Sequence, residues 1–249
     1  MLFRSALLFL STILLPSSVL ADKLNIAVAS NFIKPMREIV QAFETTSDHK
    51  INLSFASSGK IYAQINHGAP FHIFLSADQD KPLALEENGM AVKGSRFTYA
   101  TGMLVLWSTS DAGTSSDLIT RLKQGEFRKL ALANPKLAPY GRAAAEVLDS
   151  MGLTEQTHRK WVLGENIAQT YQFVRTGNAD MGFVALSQAR DGEQTHNEWI
   201  IPENLYRPIH QDLILLNNAE KNAAAEDFIK FIRSQAAQKI IESYGYKTF

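Results

Sequence analysis

The chain has 249 residues, with 25 basic and 25 acidic side chains and no cysteine. Its length is enough for one large or two modest domains with a sizeable core. The balanced charge gives no reason to expect a nucleic acid or an acidic membrane surface as partner. The lack of cysteine excludes disulfides, thiolate nucleophiles and metal sites built on cysteine.

The first 21 residues have the features of a secretory signal peptide. Arg4 supplies a positive charge, residues 6–15 form a compact apolar run, and Val19 and Ala21 fit the small-residue rule for cleavage. The apolar run is too short to span a membrane comfortably. We therefore predict cleavage near Ala21 and an exported, periplasmic protein. Loss of Arg4, the only charged residue of the leader, gives the mature chain a net charge of −1.

Short apolar runs alternate with amphipathic stretches along the mature chain. The runs predict strands at residues 23–30, 48–54, 71–76, 101–107, 129–133, 161–163, 181–185, 199–201, 205–209 and 212–216. The amphipathic stretches predict helices at residues 32–45, 79–88, 117–123, 143–151, 167–176, 222–235 and 237–244. Two short helices are also predicted, one between the polar turn at 57–59 and the Gly-Ala-Pro break at 68–70 and one that ends at Ala189. This alternation indicates an α/β fold with mainly parallel sheets. We take the run at 101–107 as the crossing between two lobes, which gives lobe 1 residues 22–101 and 209–249 and lobe 2 residues 102–208.

Small polar residues stand twice at a junction between a predicted strand and a predicted helix. Ser30 and Asn31 follow the first strand, and Ser57, Ser58 and Gly59 follow the second. The first N–H groups of a helix have no partner within the helix and carry partial positive charge, so such a junction can bind an anion. Helix capping by serine is the alternative interpretation. Two such junctions at the carboxyl ends of strands, where ligands bind in open α/β sheets, favour the anion.

Signals for an enzyme are weak. The sequence contains no Gly-x-Ser-x-Gly elbow, no P-loop and no dinucleotide-binding glycine pattern. His67 and His72 are separated by a Gly-Ala-Pro break, so they do not share a helix face as a zinc pair would. Asp78 and Asp80 stand at a predicted helix start, where carboxylates complement the helix dipole. An exported α/β hydrolase using these groups remains an alternative.

Seven segments, in their order and spacing, resemble the periplasmic molybdate-binding proteins of ABC importers. They are AVASN at 27–31, FASSGKIYAQI at 55–65, GAPFHIFLSAD at 68–78, NPKLAPYGRAA at 134–144, GENIAQ at 164–169, MGFVALS at 181–187 and SYGY at 243–246. The resemblance covers essentially the whole mature chain. It implies a two-lobed type II periplasmic-binding fold that closes on molybdate or tungstate between its lobes.

The resemblance also implies which residues hold the oxyanion. Ser30 and Ser58 match two serines that contact it from the first lobe, and Asn31 stands at the same helix start as Ser30. Tyr140 lies where the family offers a helix-start amide, and Ile167 lies where an apolar residue donates its N–H. In such proteins the anion is held by hydroxyls and backbone amides, without a cofactor, a protein–metal bond or a charged side chain.

One position departs from the pattern. Some members of the family have a tyrosine ligand where this chain has Ala185, and the Tyr140 phenol is the candidate to replace it. The resemblance further implies a monomer that is not an enzyme and that delivers its anion to a membrane permease. A binding protein for another oxyanion or for a small organic acid is the second hypothesis.

Overall fold

The structure is a computed structural model that describes residues 23–109, 114–190 and 197–248. The predicted signal peptide lies outside these residues. In the part of the chain described, no helix is both long enough and apolar enough to cross a membrane.

The described residues form ten strands in two separate five-stranded sheets. The strands are β1 (Lys23–Ala29), β2 (Lys50–Ala56), β3 (Ile73–Leu75), β4 (Phe97–Gly102), β5 (Leu104–Ser108), β6 (Leu130–Ala133), β7 (Trp161–Gly164), β8 (Met181–Ala185), β9 (Asn197–Ile200) and β10 (Ile209–Leu215). The first sheet has the order β2-β1-β3-β10-β4 and the second has the order β7-β6-β8-β5-β9. We call the half of the molecule built on each sheet the first and the second lobe. A two-lobed α/β fold is confirmed.

Both sheets combine parallel and antiparallel strands. In the first sheet β1 is parallel to β2 and β3, while β10 runs antiparallel to β3 and β4. In the second sheet β6 is parallel to β7 and β8, while β5 runs antiparallel to β8 and β9. The sheets are therefore mixed rather than mainly parallel. Each antiparallel part arises where the chain enters or re-enters that sheet from the other lobe.

In the part of the chain that the structure describes, ten α-helices cover the sheets. They are α1 (Ile33–Glu44), α2 (Ser58–Asn66), α3 (Asp80–Glu87), α4 (Ser115–Gln124), α5 (Pro139–Ser150), α6 (Thr154–Thr157), α7 (Ile167–Arg175), α8 (Leu186–Ala189), α9 (Ala223–Ile232) and α10 (Gln235–Ser243). The apolar face of α1 buries Met36, Ile39 and Phe43 at helical spacing. The same spacing on α9 buries Ala225, Phe228 and Ile232. These two helices pack with β1 and β3 into the core of the first lobe.

Two strand predictions were wrong, both where the chain crosses between the lobes. Residues 101–107 form the end of β4 and the start of β5, which belong to different sheets. The apolar run continues through Met103, so hydropathy does not show where β4 ends and β5 begins. Residues 205–216, predicted as two strands, contain the single strand β10. Gln211 and Asp212 interrupt the apolar pattern there, yet both are completely buried.

Candidate anion-binding site

A small cavity lies between the lobes, at the carboxyl ends of β1, β2 and β6. The space that it encloses is small. All five residues that the sequence predicts as ligands line it, namely Ser30, Asn31, Ser58, Tyr140 and Ile167, together with Ala29, Ser57, Ala77, Ala138 and Pro139. None of these ten side chains carries a charge. The five predicted residues are all buried.

Four helix starts meet at this cavity, two from each lobe. In the first lobe Ser30 begins a 3-10 turn that leads into α1, and Ser58 begins α2. In the second lobe Tyr140 lies in the first turn of α5, and Ile167 begins α7. The positive ends of four helix dipoles therefore surround one small space. An anion is the ligand that such an arrangement favours.

Several backbone N–H groups around the cavity have no partner among the described residues. They are those of Asn31, Ser58, Tyr140 and Ile167. The N-cap side chains of α2 and α7 accept hydrogen bonds from N–H groups three residues further along the chain. Ser57 accepts from the Lys60 N–H at 3.4 Å, and Asn166 accepts from the Gln169 N–H at 3.0 Å. Capping thus leaves the N–H groups closest to the cavity available, so capping and anion binding coexist at these junctions.

The two predicted serine hydroxyls differ in what they already bind. The Ser58 hydroxyl oxygen accepts the Ala77 N–H at 2.9 Å, which leaves its own hydrogen available for donation. The Ser30 hydroxyl has no hydrogen-bond partner within the described ranges, although the residue is only 4% exposed. The Ser30 hydroxyl is therefore free to donate to a ligand that enters the cavity.

The Asn31 side chain forms hydrogen bonds with other residues of the protein and not with the cavity. Its Nδ2 donates to Gln211 Oε1 at 2.9 Å and to the Tyr246 hydroxyl at 3.1 Å. These two bonds use both amide hydrogens. The Asn31 carbonyl in turn accepts from the Tyr246 and Ser187 hydroxyls, at 2.8 and 3.2 Å. Asn31 therefore has its backbone N–H, and no side-chain donor, left for the cavity.

The Tyr140 phenol also forms a hydrogen bond with a residue that does not line the cavity. Its oxygen accepts from Gln211 Nε2 at 3.4 Å. It lies so close to Gly102 that a Cβ at that glycine would be 2.0 Å from it, so a side chain at position 102 would require the phenol to move. Burial raises the pKa of Tyr140 well above its ordinary value, and the phenol therefore stays neutral. The hydroxyl expected to replace a ligand at Ala185 thus belongs to a buried network beside the cavity.

Direct contacts close the cleft around the cavity. The Gly59 N–H donates to the Leu137 carbonyl at 2.9 Å, which joins the first turn of α2 to the loop before α5. Lys60 Nζ lies 2.5 Å from Glu165 Oε1, just before α7. Arg142 of α5 reaches Asp80 Oδ2 at 3.0 Å. The lobes are therefore in contact on several sides of the site, which explains the low exposure of its residues.

The groups considered for catalysis are engaged in structural roles. Asp78 forms an ion pair with Lys81 at 2.5 Å and accepts from Ser76 Oγ at 2.9 Å. His67 Nδ1 contacts the Ala63 carbonyl oxygen at 2.7 Å, and His72 Nδ1 accepts from a neighbouring strand. Within residues 23–109, 114–190 and 197–248, no group of three or more His, Asp or Glu residues is arranged to hold a metal ion.

Sequence reasoning missed three polar residues beside the site, Gln211, Tyr246 and Ser187. All three are buried, and they bind Asn31 or Tyr140 from positions far away in the chain. The polar interruption of an apolar run at position 211 was the one local signal for them. Ser57, named at the second junction but not as a ligand, also lines the cavity.

Comparison with known proteins identifies the family. Residues 24–247 match the family of bacterial extracellular solute-binding proteins. The chain is 47% identical to a molybdate-binding protein ModA of Azotobacter vinelandii over 94% of this chain and 93% of the relative. It is 43% identical to the ModA of Rhodobacter capsulatus, with 98% and 95% covered.

A solved structure gives the same result. The fold matches the periplasmic molybdate-binding protein of Azotobacter vinelandii with a TM-score of 0.85 and 34% identity, over 91% of this chain and 99% of that one. The chain belongs to the bacterial extracellular solute-binding proteins and is related to their molybdate-binding members.

Proposed function

We propose that this protein binds molybdate, and also tungstate, outside the cytoplasm and delivers it to the permease of an ABC importer. Relatives at 47% and 43% identity carry the name of molybdate-binding proteins, which supports this ligand. The observation that carries the proposal is the meeting of four helix starts at one small, uncharged cavity. A cavity of this size favours a tetrahedral oxyanion over a larger organic acid.

The proposed ligand set combines hydroxyls and backbone amides from both lobes. The first lobe contributes the hydroxyls of Ser30 and Ser58 and the N–H groups of Asn31 and Ser58. The second lobe contributes the N–H groups of Tyr140 and Ile167. What supports this set is that these donors line the cavity and that none of the N–H groups has another partner among the described residues.

Neutral donors suit a doubly charged anion because each bond is charge-assisted. A hydrogen bond to a charged group contributes roughly 1.5–3 kcal/mol net, and several such bonds add to the four helix dipoles. The proposed set holds no carboxylate, so an anion that keeps a proton, such as hydrogen phosphate, finds only a hydroxyl oxygen to accept that proton. Sulfate has the same charge as molybdate and shorter bonds, so a cage fitted to molybdate leaves its donors too far from the sulfate oxygens.

Transport requires that the cleft open and close. We propose that the lobes comprise residues 22–101 with 209–249 and residues 102–208. The sheet assignments support this division, because β4 and β10 end and begin at these limits. In this scheme residues 1–21 direct export to the periplasm and are removed. The mature protein acts as a monomer, needs no cofactor and catalyses no reaction.

Calorimetric titration of the mature, ligand-free protein tests the proposal. Molybdate, tungstate, sulfate and phosphate are compared under the same conditions. We expect one-to-one binding of molybdate and tungstate at least a hundredfold tighter than binding of the other two anions. Equal binding of sulfate would favour a general oxyanion receptor, and no heat with any of the four would reject the proposed function in favour of an organic acid or a reaction.

A further inference from the structure

Gln211 occupies an unusual position for a polar residue. It lies in β10, two residues after the chain returns to the first sheet, and its exposure is 0%. The pairing of β10 with β4 shifts at this point, with Gln211 opposite Ala100 and Asp212 opposite Thr98. Such shifts re-aim side chains next to functional sites. Here the Gln211 amide lies beside the anion cavity and does not line it.

Both polar atoms of the Gln211 amide form hydrogen bonds. Its Oε1 accepts from Asn31 Nδ2 at 2.9 Å and from the Tyr99 hydroxyl at 3.0 Å. Its Nε2 donates to the Tyr140 hydroxyl at 3.4 Å. Asn31 and Tyr99 belong to the first lobe, as Gln211 does, whereas Tyr140 begins a helix of the second lobe. The amide therefore connects two turns that face the same cavity from opposite sides.

We propose that Gln211 is a positioning residue that couples closure of the lobes to oxyanion binding, by joining the Asn31 turn to the Tyr140 turn. This inference rests on the proposed function. The bond between Gln211 and Tyr140 exists only when the lobes are closed, and closure brings the Tyr140 N–H to the anion. Gln211 and the anion thus both favour the closed state. The hydrogen bond between Gln211 and Tyr140 therefore contributes to the affinity for the anion, although neither atom of that bond contacts it.

The amide suits this role better than a charged side chain. A glutamine both accepts and donates, so it holds Asn31 with its oxygen and Tyr140 with its nitrogen. Burial keeps the phenols of Tyr99 and Tyr140 protonated by raising the pKa of each. The connection therefore places no negative charge next to a dianion.

Two tyrosines that bind the same amide provide a matched pair of variants. Tyr140→Phe removes a bond between the lobes, whereas Tyr99→Phe removes a bond within the first lobe. Two quantities are measured for each protein: the molybdate dissociation constant by calorimetry, and the midpoint of thermal unfolding without ligand. We expect Tyr140→Phe to weaken binding roughly fivefold, the value of one neutral hydrogen bond, with the midpoint unchanged. Tyr99→Phe should lower the midpoint and keep the dissociation constant within about twofold of wild type.

A double-mutant cycle separates Gln211 from other neighbours of the Tyr140 phenol. Gln211→Met is near in size and has no amide, and we expect it to weaken binding at least as much as Tyr140→Phe. Because both remove the same bond, the double variant should bind no more weakly than Gln211→Met alone.

Three outcomes contradict the inference. The first is a Tyr140→Phe variant that binds molybdate with wild-type affinity. The second is a double variant whose loss of affinity equals the product of the losses in Tyr140→Phe and Gln211→Met. The third is a loss of affinity in Tyr99→Phe as large as that in Tyr140→Phe, which would show that Gln211 supports the fold in general and does not couple closure to binding. Failure of the wild-type protein to bind molybdate is a different result, because it rejects the proposed function and this inference with it.

Discussion

Gly59 and Leu137 bring the backbones of the two lobes into direct contact beside the anion cavity. The Gly59 N–H donates to the Leu137 carbonyl at 2.9 Å, and a Cβ at position 59 would lie 2.8 Å from that oxygen. No side chain fits in this gap without moving the lobes apart. The glycine is therefore required by the closed state, and its own helix does not need it.

Gly59→Ala is expected to have opposite effects on binding and on stability. The added methyl group keeps the lobes from closing fully, so we predict weaker molybdate binding by about 1–3 kcal/mol, as for overpacking in a core. Alanine is the better helix former, so the ligand-free protein should be as stable as wild type or more stable. Calorimetry and thermal unfolding measure the two effects. Loss of stability with unchanged affinity would show that the contact does not belong to closure.

The two site serines should respond differently to replacement by alanine. Ser30→Ala removes a hydroxyl that binds nothing else in the described structure, so we predict an affinity loss of about 1.5–3 kcal/mol and no loss of stability. Ser58→Ala should reduce affinity similarly and also destabilise the free protein by about 1–3 kcal/mol, because the buried Ala77 N–H loses its acceptor.

Ser234→Ala is the control for the serine variants. Ser234 caps α10 through the Ala237 N–H at 3.3 Å and does not line the cavity. This substitution should lower the free energy of unfolding by about 1 kcal/mol, as the loss of a cap does, without changing the affinity for molybdate. If Ser30→Ala binds molybdate like wild type, the proposed ligand set is wrong.

No cationic side chain should be essential for binding. Lys60 is the nearest candidate in sequence to Ser58, yet it forms a half-exposed ion pair with Glu165. Exposed pairs are worth about 0–1 kcal/mol, so Lys60→Gln should weaken molybdate binding by no more than about fivefold. The remaining loss should shrink as the salt concentration rises. A loss of a hundredfold or more would indicate direct contact between Lys60 and the anion.

Alkaline pH should destabilise the fold through its buried phenols. Burial raises the pKa of Tyr246 from 10.0 to about 12. Below pH 10 the phenol is protonated in both folded and unfolded chains, so the stability it contributes is fully present. Between pH 10 and 12 only the unfolded chain releases the proton, and stability falls by about 2–3 kcal/mol for this group. The thermal unfolding midpoint of Tyr246→Phe should therefore fall less steeply over that range than that of wild type, and an identical slope would contradict the assignment.

Local sequence patterns were sufficient for the parts of the site that depend on one strand and the next helix. Ser30 and Ser58 are such positions, because a strand end, a small polar residue and a helix start follow one another within a few residues. Tyr140 and Ile167 came from the family resemblance. All four line the cavity, while their contacts with an anion stay a prediction.

The remaining features depend on contacts between distant parts of the chain. Gln211 binds Asn31 across 180 positions, and Tyr246 binds it across 215. No local pattern reports such a pairing. The break between β4 and β5 at Met103 was missed for a related reason, since both lobes bury their strands and the apolar run continues from one sheet into the other.

Diffraction from crystals grown with molybdate, measured at the molybdenum absorption edge, locates the anion directly. We predict one strong anomalous peak in the cavity, with the anion oxygens within hydrogen-bond distance of the Ser30 and Ser58 hydroxyls and of the Tyr140 and Ile167 N–H groups. A peak beside a lysine or arginine outside the cavity, or no peak despite binding in solution, would contradict a site built from neutral donors of both lobes.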